Sequence, residues 1–186
     1  DEADARSEAA ALQAQGLEVA VQPVPAYSTL GWMNWAGGDP LLNTFIGYPE
    51  ADLARLIFHE LAHQVLYVKD DTPFNESFAT AVERLGVARW LAREAGEAVR
   101  QEWAQAQQRR AQFRALSRQT RAQLQAIYAG QAPGADTAEA RLQRKARAMA
   151  DFRAGYARLR AGWGGAPERW RLTDRWVAEA NNASFG

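Results

Sequence analysis

A pair of histidines four residues apart is the feature of this sequence that could do chemistry. His59 and His63 are the two histidines of the chain, and Glu60 follows the first of them, in the pattern H-E-x-x-H. On a helix, residues i and i+4 lie on one face, so two imidazoles can bind one zinc ion. The glutamate beside them can then reach a water molecule bound to that ion. The alternative is a pair of packed or exposed histidines on an ordinary helix.

A third metal ligand has to come from a carboxylate. A catalytic zinc ion usually takes three protein ligands, and the chain has neither a third histidine nor a cysteine. The downstream candidates are Asp70, Asp71, Glu76 and Glu83. Asp70 and Asp71 lie in a predicted turn, where solvation is the simpler explanation, whereas Glu76 opens a helix that runs back beside the motif helix. We therefore predict that the ligands are His59, His63 and Glu76. Glu83 lies two turns after Glu76 on the same face and is a candidate hydrogen-bond partner of a ligand.

Glu60 has a defined task at such a site. Zinc lowers the pKa of its water, Glu60 accepts the proton, and the hydroxide attacks a carbonyl group that the metal polarises. Glu60 later returns the proton to the leaving amine; a purely structural glutamate is the alternative. The oxyanion needs a further hydrogen-bond donor. Five tyrosines compete for this role without a deciding signal: Tyr27, Tyr48, Tyr67, Tyr128 and Tyr156.

Periodicity and turn residues predict the elements around the motif. Residues 2–15 predict a helix, and residues 17–24 alternate apolar and polar side chains as a strand does. Residues 27–32 could form a second extended piece. The motif helix should begin at Pro49, and we expect it to be buried because apolar side chains surround it on nearly every side. Thr72 should cap the following helix.

The second half of the chain predicts a long helical hairpin. Apolar side chains recur every three or four residues from Val99 to Ile127 and again from Leu142 to Trp163. A turn containing Gly130 separates the two stripes, so the two helices should pack antiparallel. A last helix is predicted over residues 168–180.

Charge is divided unevenly along the chain, although the net charge is zero. Residues 1–99 carry 6 basic and 15 acidic residues, and residues 100–160 carry 13 and 4. The basic face of the hairpin could contact anionic lipid head groups or an acidic partner. A solvated face and dimerisation through the hairpin are the alternatives, and the oligomeric state stays open. Nucleic acid is not expected, because no recognised motif or aromatic platform accompanies the arginines. These basic residues are Arg109, Arg110, Arg114, Arg118, Arg121, Arg141, Arg144, Lys145, Arg147, Arg153, Arg158 and Arg160.

The composition sets outer limits. The chain has no cysteine and therefore no disulfide, and its 47% hydrophobic and 24% charged residues are ordinary for a globular protein. No run of 18 apolar residues and no signal peptide is visible. The chain begins without a methionine, which suggests a processed or trimmed product.

The start of the second predicted helix resembles an element of the thermolysin-like peptidases. Asn75 and Glu76 are similar to their N-E-x-x-x-D element, in which the glutamate is the third zinc ligand. Thr80 stands where those enzymes carry an aspartate that orients a zinc histidine, so Thr80 joins Glu83 as a candidate for that role. The separation of His63 and Glu76 is shorter than in thermolysin.

Longer segments resemble a bacterial family of predicted zinc aminopeptidases. The segments are residues 26–32, 39–45, 54–63 and 74–80, and the likeness extends from about residue 8 to residue 182. It implies an HExxH metallopeptidase of the gluzincin type with a glutamate as third zinc ligand. Members are usually longer and often begin with an envelope-targeting segment, so the chain resembles a C-terminal portion of an envelope protein; a cytoplasmic location stays open. By analogy, an edge containing Tyr27, Ser28, Thr29 and Gly31 would bind the substrate backbone as an added strand.

These observations predict a mostly α (α+β) fold: a zincin-like HExxH helix with a small β edge, followed by a long antiparallel helical hairpin. The predicted domains are a metallopeptidase core over residues 1–98, the basic hairpin over residues 99–163, and a C-terminal helix and tail over residues 164–186 that packs on the core. The predicted function is a zinc-dependent peptidase that could act from the N-terminus. The alternative is a non-enzymatic helical scaffold or envelope-associated binding module with a structural or degraded zinc site. The substrate, and the choice between exo- and endopeptidase, cannot be read from the sequence.

Overall fold

The computed structural model describes residues 1–21, 47–134, 137–165 and 167–185. These residues form six α-helices and two 3-10 helices. The α-helices are α1 (Glu2–Ala14), α2 (Glu50–Val65), α3 (Thr72–Arg93), α4 (Glu97–Tyr128), α5 (Ala138–Trp163) and α6 (Arg171–Glu179). The 3-10 helices span Pro167–Trp170 and Asn182–Phe185. None of the described helices is long and apolar enough to cross a membrane.

The predicted α+β class is wrong, since the described residues form helices and no strand. Residues 17–21 of the predicted first strand are irregular; Leu17 is exposed, and Val19 and Ala20 are both half-buried, without the alternation of a strand. A strand needs a neighbouring strand to pair its N–H and C=O groups, and the described part of the chain supplies none. The fold is all-helical there, and a zincin-like core with a β edge is not found. The second extended piece, residues 27–32, lies outside the described residues.

Two compact units divide the chain. One consists of Val24–Gln107 and is called the motif unit below. The other combines Asp1–Pro23 with Gln108–Gly186 and is called the hairpin unit. The division falls within α4. The domain bounds predicted at residues 98 and 163 stay a prediction.

In the motif unit, α2 and α3 pack as an antiparallel pair. His63 lies beside Glu76, His59 beside Glu83, and Phe58 beside Gly86, so residue numbers rise on one helix as they fall on the other. A Cβ atom at Gly86 would lie 2.6 Å from Cγ of Phe58, so the two helices approach more closely than an alanine would allow. This close approach sets the separation of the facing side chains.

The starts of α2 and α3 each lie one residue away from the prediction. Pro49 precedes α2 and Glu50 is its first residue. Asp71 caps α3 in place of Thr72, because its carboxylate accepts a hydrogen bond from the N–H of Phe74 at 3.0 Å. Asp70 takes a left-handed φ of 62° in the reversal before it. Both aspartates that competed as metal ligands therefore lie in the turn that starts α3.

The burial expected for α2 is found only in part. Ala51, Ala62 and His63 are buried and residues 52–60 are half-buried, whereas Leu61 is 49% exposed and Val65 is 80% exposed. Apolar residues on nearly every side of α2 thus did not mean that every side of the helix is buried.

In the hairpin unit, α4 and α5 run antiparallel around an aromatic core. Phe113 of α4 packs against Phe152 and Tyr156 of α5, and Nε1 of Trp163 donates a 2.7 Å hydrogen bond to Gln112. A cluster of buried side chains continues this core to the end of the chain, where the ring centroids of Phe185 and Phe152 are 4.9 Å apart. The C-terminal 3-10 helix is thereby held by burial of an aromatic side chain.

Candidate metal centre

Asn75 ties the start of α3 to the turn that precedes it. Its side chain is 2% exposed, accepts a hydrogen bond from the N–H of Val68 and donates one to the carbonyl of Val68, both at 2.8 Å. The amide thus holds the backbone of the turn as a neighbouring strand would. Glu76 is the next residue of the same helix. The hydrogen bonds between Asn75 and Val68 therefore also help to fix the position of the Glu76 backbone.

His59, His63 and Glu76 converge on one point between α2 and α3. Their ligand atoms all lie within 4.8 Å of one another. Nε2 of His59 is 3.2 Å from Nε2 of His63, and the carboxylate of Glu76 is 3.3 Å from the first and 3.6 Å from the second. His63 is buried and the other two side chains are half-buried. The group can hold a metal ion.

The partner of His59 decides which of its nitrogens faces this point. Nδ1 of His59 lies 3.1 Å from Oε2 of Glu83. A carboxylate can only accept, so Nδ1 carries the proton, and in the neutral imidazole Nε2 then presents a lone pair. That lone pair points toward the nitrogen of His63 and the carboxylate of Glu76. A proton on Nε2 of His63 would make its contact with His59 a hydrogen bond. Without that proton, lone pairs meet at these distances and repel one another unless a cation lies among them, so these residues fit a metal.

The donor set and its surroundings are compatible with zinc. Two imidazoles and one carboxylate are a set that catalytic zinc sites use, with a further position for water. A carboxylate on the second nitrogen of a ligating histidine is the usual outer support of such a site. Nδ1 of His63, by contrast, is buried and has no hydrogen-bond partner among the described residues.

The two candidates for orienting a histidine differ in what they contact. Glu83 contacts His59 and also accepts hydrogen bonds from Nη1 of Arg55 at 3.1 and 3.3 Å. Thr80 is half-buried on the same helix, and its role toward a histidine stays a prediction. Sequence reasoning did not single out Arg55, although it precedes His59 by four residues and so shares a face of α2.

Glu60 lies between the two histidines in the sequence and is half-buried. Around a helix it is displaced by about 100° from His59 and about 60° from His63. Its carboxylate therefore begins at the flank of the group, on the side of α2 that does not face α3. That position suits a group that accepts a proton beside the metal and does not itself ligate it.

The remaining predicted site residues divide into two groups. Tyr27, Ser28, Thr29 and Gly31 lie outside the described residues. Tyr156 is buried in the hairpin unit, where its hydroxyl donates to the carboxylate of Asp174. Burial, together with this hydrogen bond, raises the pKa of Tyr156 above its ordinary value. The oxyanion role of Tyr156 stays a prediction.

Comparison with known proteins gives one match. A family model described as "Putative aminopeptidase" matches residues 1–186. No curated protein and no solved structure matches the chain.

Proposed function

We propose that this chain, which belongs to the Putative aminopeptidase family, is a zinc-dependent HExxH peptidase of the gluzincin type that removes residues from the N-terminus of peptides. The observation that carries the proposal is the convergence of His59, His63 and Glu76 on one point, with Glu83 on the far nitrogen of His59. The metal and the reaction are inferred from this donor set. The preference for the N-terminus is taken from the family description.

The residues of the site divide the work of hydrolysis. Bound zinc would lower the pKa of a water molecule and polarise the carbonyl group of the scissile bond. His59, His63 and Glu76 would hold the metal, and Glu83 would keep the Nε2 lone pair of His59 directed at it. The Glu60 carboxylate accepts a proton from the attacking water as the new C–O bond forms. It returns that proton to the leaving nitrogen as the C–N bond breaks.

Replacing Glu60 by glutamine tests the proposal. The Glu60→Gln variant should retain zinc, because the residue is not a ligand, and should lose about 10²- to 10⁴-fold in kcat, because it removes the proton acceptor. Zinc content is measured by elemental mass spectrometry, and hydrolysis is measured with aminoacyl amides and short peptides. Glu94→Gln, which makes the same change at the exposed end of α3, is the matched control and should behave as the unsubstituted protein.

Three results would count against the proposal in different ways. A protein that binds zinc but cleaves no peptide would favour a structural zinc site in a helical scaffold. Equal loss of activity in Glu60→Gln and Glu94→Gln would remove the role of Glu60. Equal cleavage of free and N-acetylated peptides would rule out an aminopeptidase while leaving a zinc peptidase in place.

A further inference from the structure

Behind the candidate metal ligand His59, charged side chains contact one another along α2 and across to α3. Nη1 of Arg55 contacts both oxygens of the Glu83 carboxylate, at 3.1 Å and 3.3 Å, and Oε2 of Glu83 also contacts Nδ1 of His59. Nε of Arg55 lies 4.0 Å from the carboxylate of Asp52. The Glu83 side chain is 11% exposed and that of Arg55 is 39% exposed. Arg55 thus lies between the buried carboxylate and solvent.

We propose that Arg55 is a positioning residue of this centre, which acts on the metal ligand His59 through Glu83. The inference rests on the proposed function. Oε2 of Glu83 serves both His59 and Arg55, whereas Oε1 is held by Arg55. Two contacts from one guanidinium nitrogen therefore determine how the carboxylate is turned and so which oxygen faces the imidazole.

Without Arg55, the contact with His59 would be the remaining contact of the Glu83 carboxylate among the described residues. A buried carboxylate that loses a charged partner is costly, and it rearranges toward any other cation in reach. A metal ion bound at Nε2 of His59 would be such a cation, because Glu83 contacts the other nitrogen of the same imidazole ring. Arg55 would therefore keep Glu83 as a support of His59 and prevent it from becoming a competing ligand.

A purely structural ion pair between α2 and α3 is the competing explanation. Arg55 and Glu83 are 28 residues apart and join the two helices, so their contact could serve packing alone. The two explanations differ in what they predict for zinc. A packing role changes the stability of the metal-free protein, whereas a positioning role changes the affinity and geometry of the bound metal.

Zinc affinity of the full chain, measured by competition with a chromophoric chelator, separates them. Arg55→Met should weaken zinc binding by about 10- to 100-fold, the usual effect of losing an outer partner of a ligand. Arg55→Lys should recover part of the loss, since a lysine supplies the charge but not the rigid planar group that fixes the position of Nη1. The double variant Arg55→Met/Glu83→Gln should bind zinc no more weakly than Glu83→Gln alone, because Arg55 acts through Glu83. Arg84→Met is the matched control, since it removes an exposed charge next to Glu83.

A second readout is independent of folding stability. The visible absorption of bound cobalt(II) reports ligand geometry, so it should change in Arg55→Met and in Arg55→Lys but not in Arg84→Met. Unchanged zinc affinity and cobalt spectrum, with only a less stable metal-free protein, would overturn the inference and leave the proposed function intact. If Arg55→Met does not fold, Arg55→Lys carries the test. An unsubstituted protein that binds no zinc would overturn both proposals.

Discussion

At the scale of the residue, the contacts of His59 determine which of its two ring nitrogens is available to a metal ion. His59 has two nitrogens of similar basicity, and the contact of Nδ1 with Glu83 distinguishes them. The remaining nitrogen faces His63 and Glu76 at 3.2 and 3.3 Å. Glu83 is therefore as much a part of the candidate centre as the residues that would touch the metal. The predictions for Glu60 and Arg55 belong to this scale, since each changes one group and leaves the helices in place.

A second residue-scale prediction concerns the pH dependence of folding. Burial and the hydrogen bond to Asp174 raise the pKa of Tyr156, so the folded state holds this proton more tightly than the unfolded chain does. The contribution of Tyr156 to stability is full below the ordinary tyrosine pKa of about 10, and it is lost as the pH rises above that value. Tyr156→Phe should therefore lose on the order of 1 kcal/mol at neutral pH, and its stability should fall less steeply above pH 10 than that of the unsubstituted protein.

Ultraviolet absorption of tyrosinate checks this assignment directly. Tyr128 is 54% exposed, so Tyr128→Phe is the control. The signal that disappears in Tyr156→Phe, but not in Tyr128→Phe, should arise above the ordinary tyrosine pKa of about 10 or only on unfolding. A Tyr156 signal that arises near pH 10 in the folded protein would show that Tyr156 is not held as described.

At the scale of the element, close contacts between helices occur at glycines, which have no side chain. In the described part of each unit there is a glycine at which an added Cβ would overlap the facing helix. At Gly86 the overlap is with the ring of Phe58, at 2.6 Å, and at Gly155 it is with Cδ1 of Leu116, at 2.7 Å. An aromatic ring between two helices has little freedom to move, whereas the end of a leucine can rotate. The first contact should therefore be the less tolerant.

Alanine substitutions of three helical glycines should consequently differ in rank. Gly86→Ala should destabilise by about 1–3 kcal/mol through overpacking, and Gly155→Ala should destabilise less. Gly162 is helical, and nothing lies within 4 Å of its added Cβ, so Gly162→Ala should stabilise by about 0.5–1 kcal/mol. Urea unfolding followed by circular dichroism gives the order. Adding Phe58→Leu to Gly86→Ala should restore part of the stability; a failure to do so would place the strain elsewhere.

At the scale of the whole molecule, the excess of positive charge in residues 100–160 is only partly neutralised. The guanidinium groups of Arg109, Arg160 and Arg169 all lie within 5.7 Å of the ring centre of Trp170. Lys145 pairs with Glu18, and Arg153 donates to the carbonyl of Ala180 at 2.9 Å. These contacts assign packing roles to four of the twelve residues of the predicted basic face.

Three arginines of α4 remain available for an external partner. Arg114, Arg118 and Arg121 are exposed and follow one another at intervals of four and three residues, on one face of the helix. None of the three forms an ion pair within the part of the chain that is described. No acidic residue occurs between Glu102 and Asp136. This stripe is therefore one place at which the hypothesis of an anionic surface as partner can be tested.

Binding to lipid vesicles tests that hypothesis. Changing Arg114, Arg118 and Arg121 to glutamine should weaken binding to phosphatidylserine-containing vesicles by roughly 100-fold, since each charge near the surface contributes about 1 kcal/mol. Binding of the unsubstituted chain should also fall with added salt. The control changes three exposed arginines of α3, at positions 84, 89 and 93, and should have little effect. Binding that is equal on neutral vesicles, or insensitive to salt, would leave the stripe as a solvated face.

The sequence by itself determined the features that depend on local geometry. The spacing of His59 and His63 places both on one face of any helix, because the helical repeat is a property of the backbone. The choice of Glu76 over Asp70 and Asp71 followed from the short reversal before α3. The stripes of α4 and α5 similarly required no knowledge of the partner, since a helix with one apolar face must bury it.

Only the tertiary structure decided what depends on partners distant in sequence. The alternation in residues 17–24 predicted a strand, but pairing requires a neighbour that the described residues do not provide. The contact of Arg55 with Glu83 joins residues 28 positions apart, and no local pattern indicates which arginine reaches a given buried carboxylate. The arginines of α4 likewise have the same side chain, but some lie beside an aromatic ring or a carbonyl group and others are exposed to solvent. The local sequence does not indicate which surroundings each arginine has. Local spacing thus predicted the candidate ligands, while the packing of α2 against α3 decided what supports them.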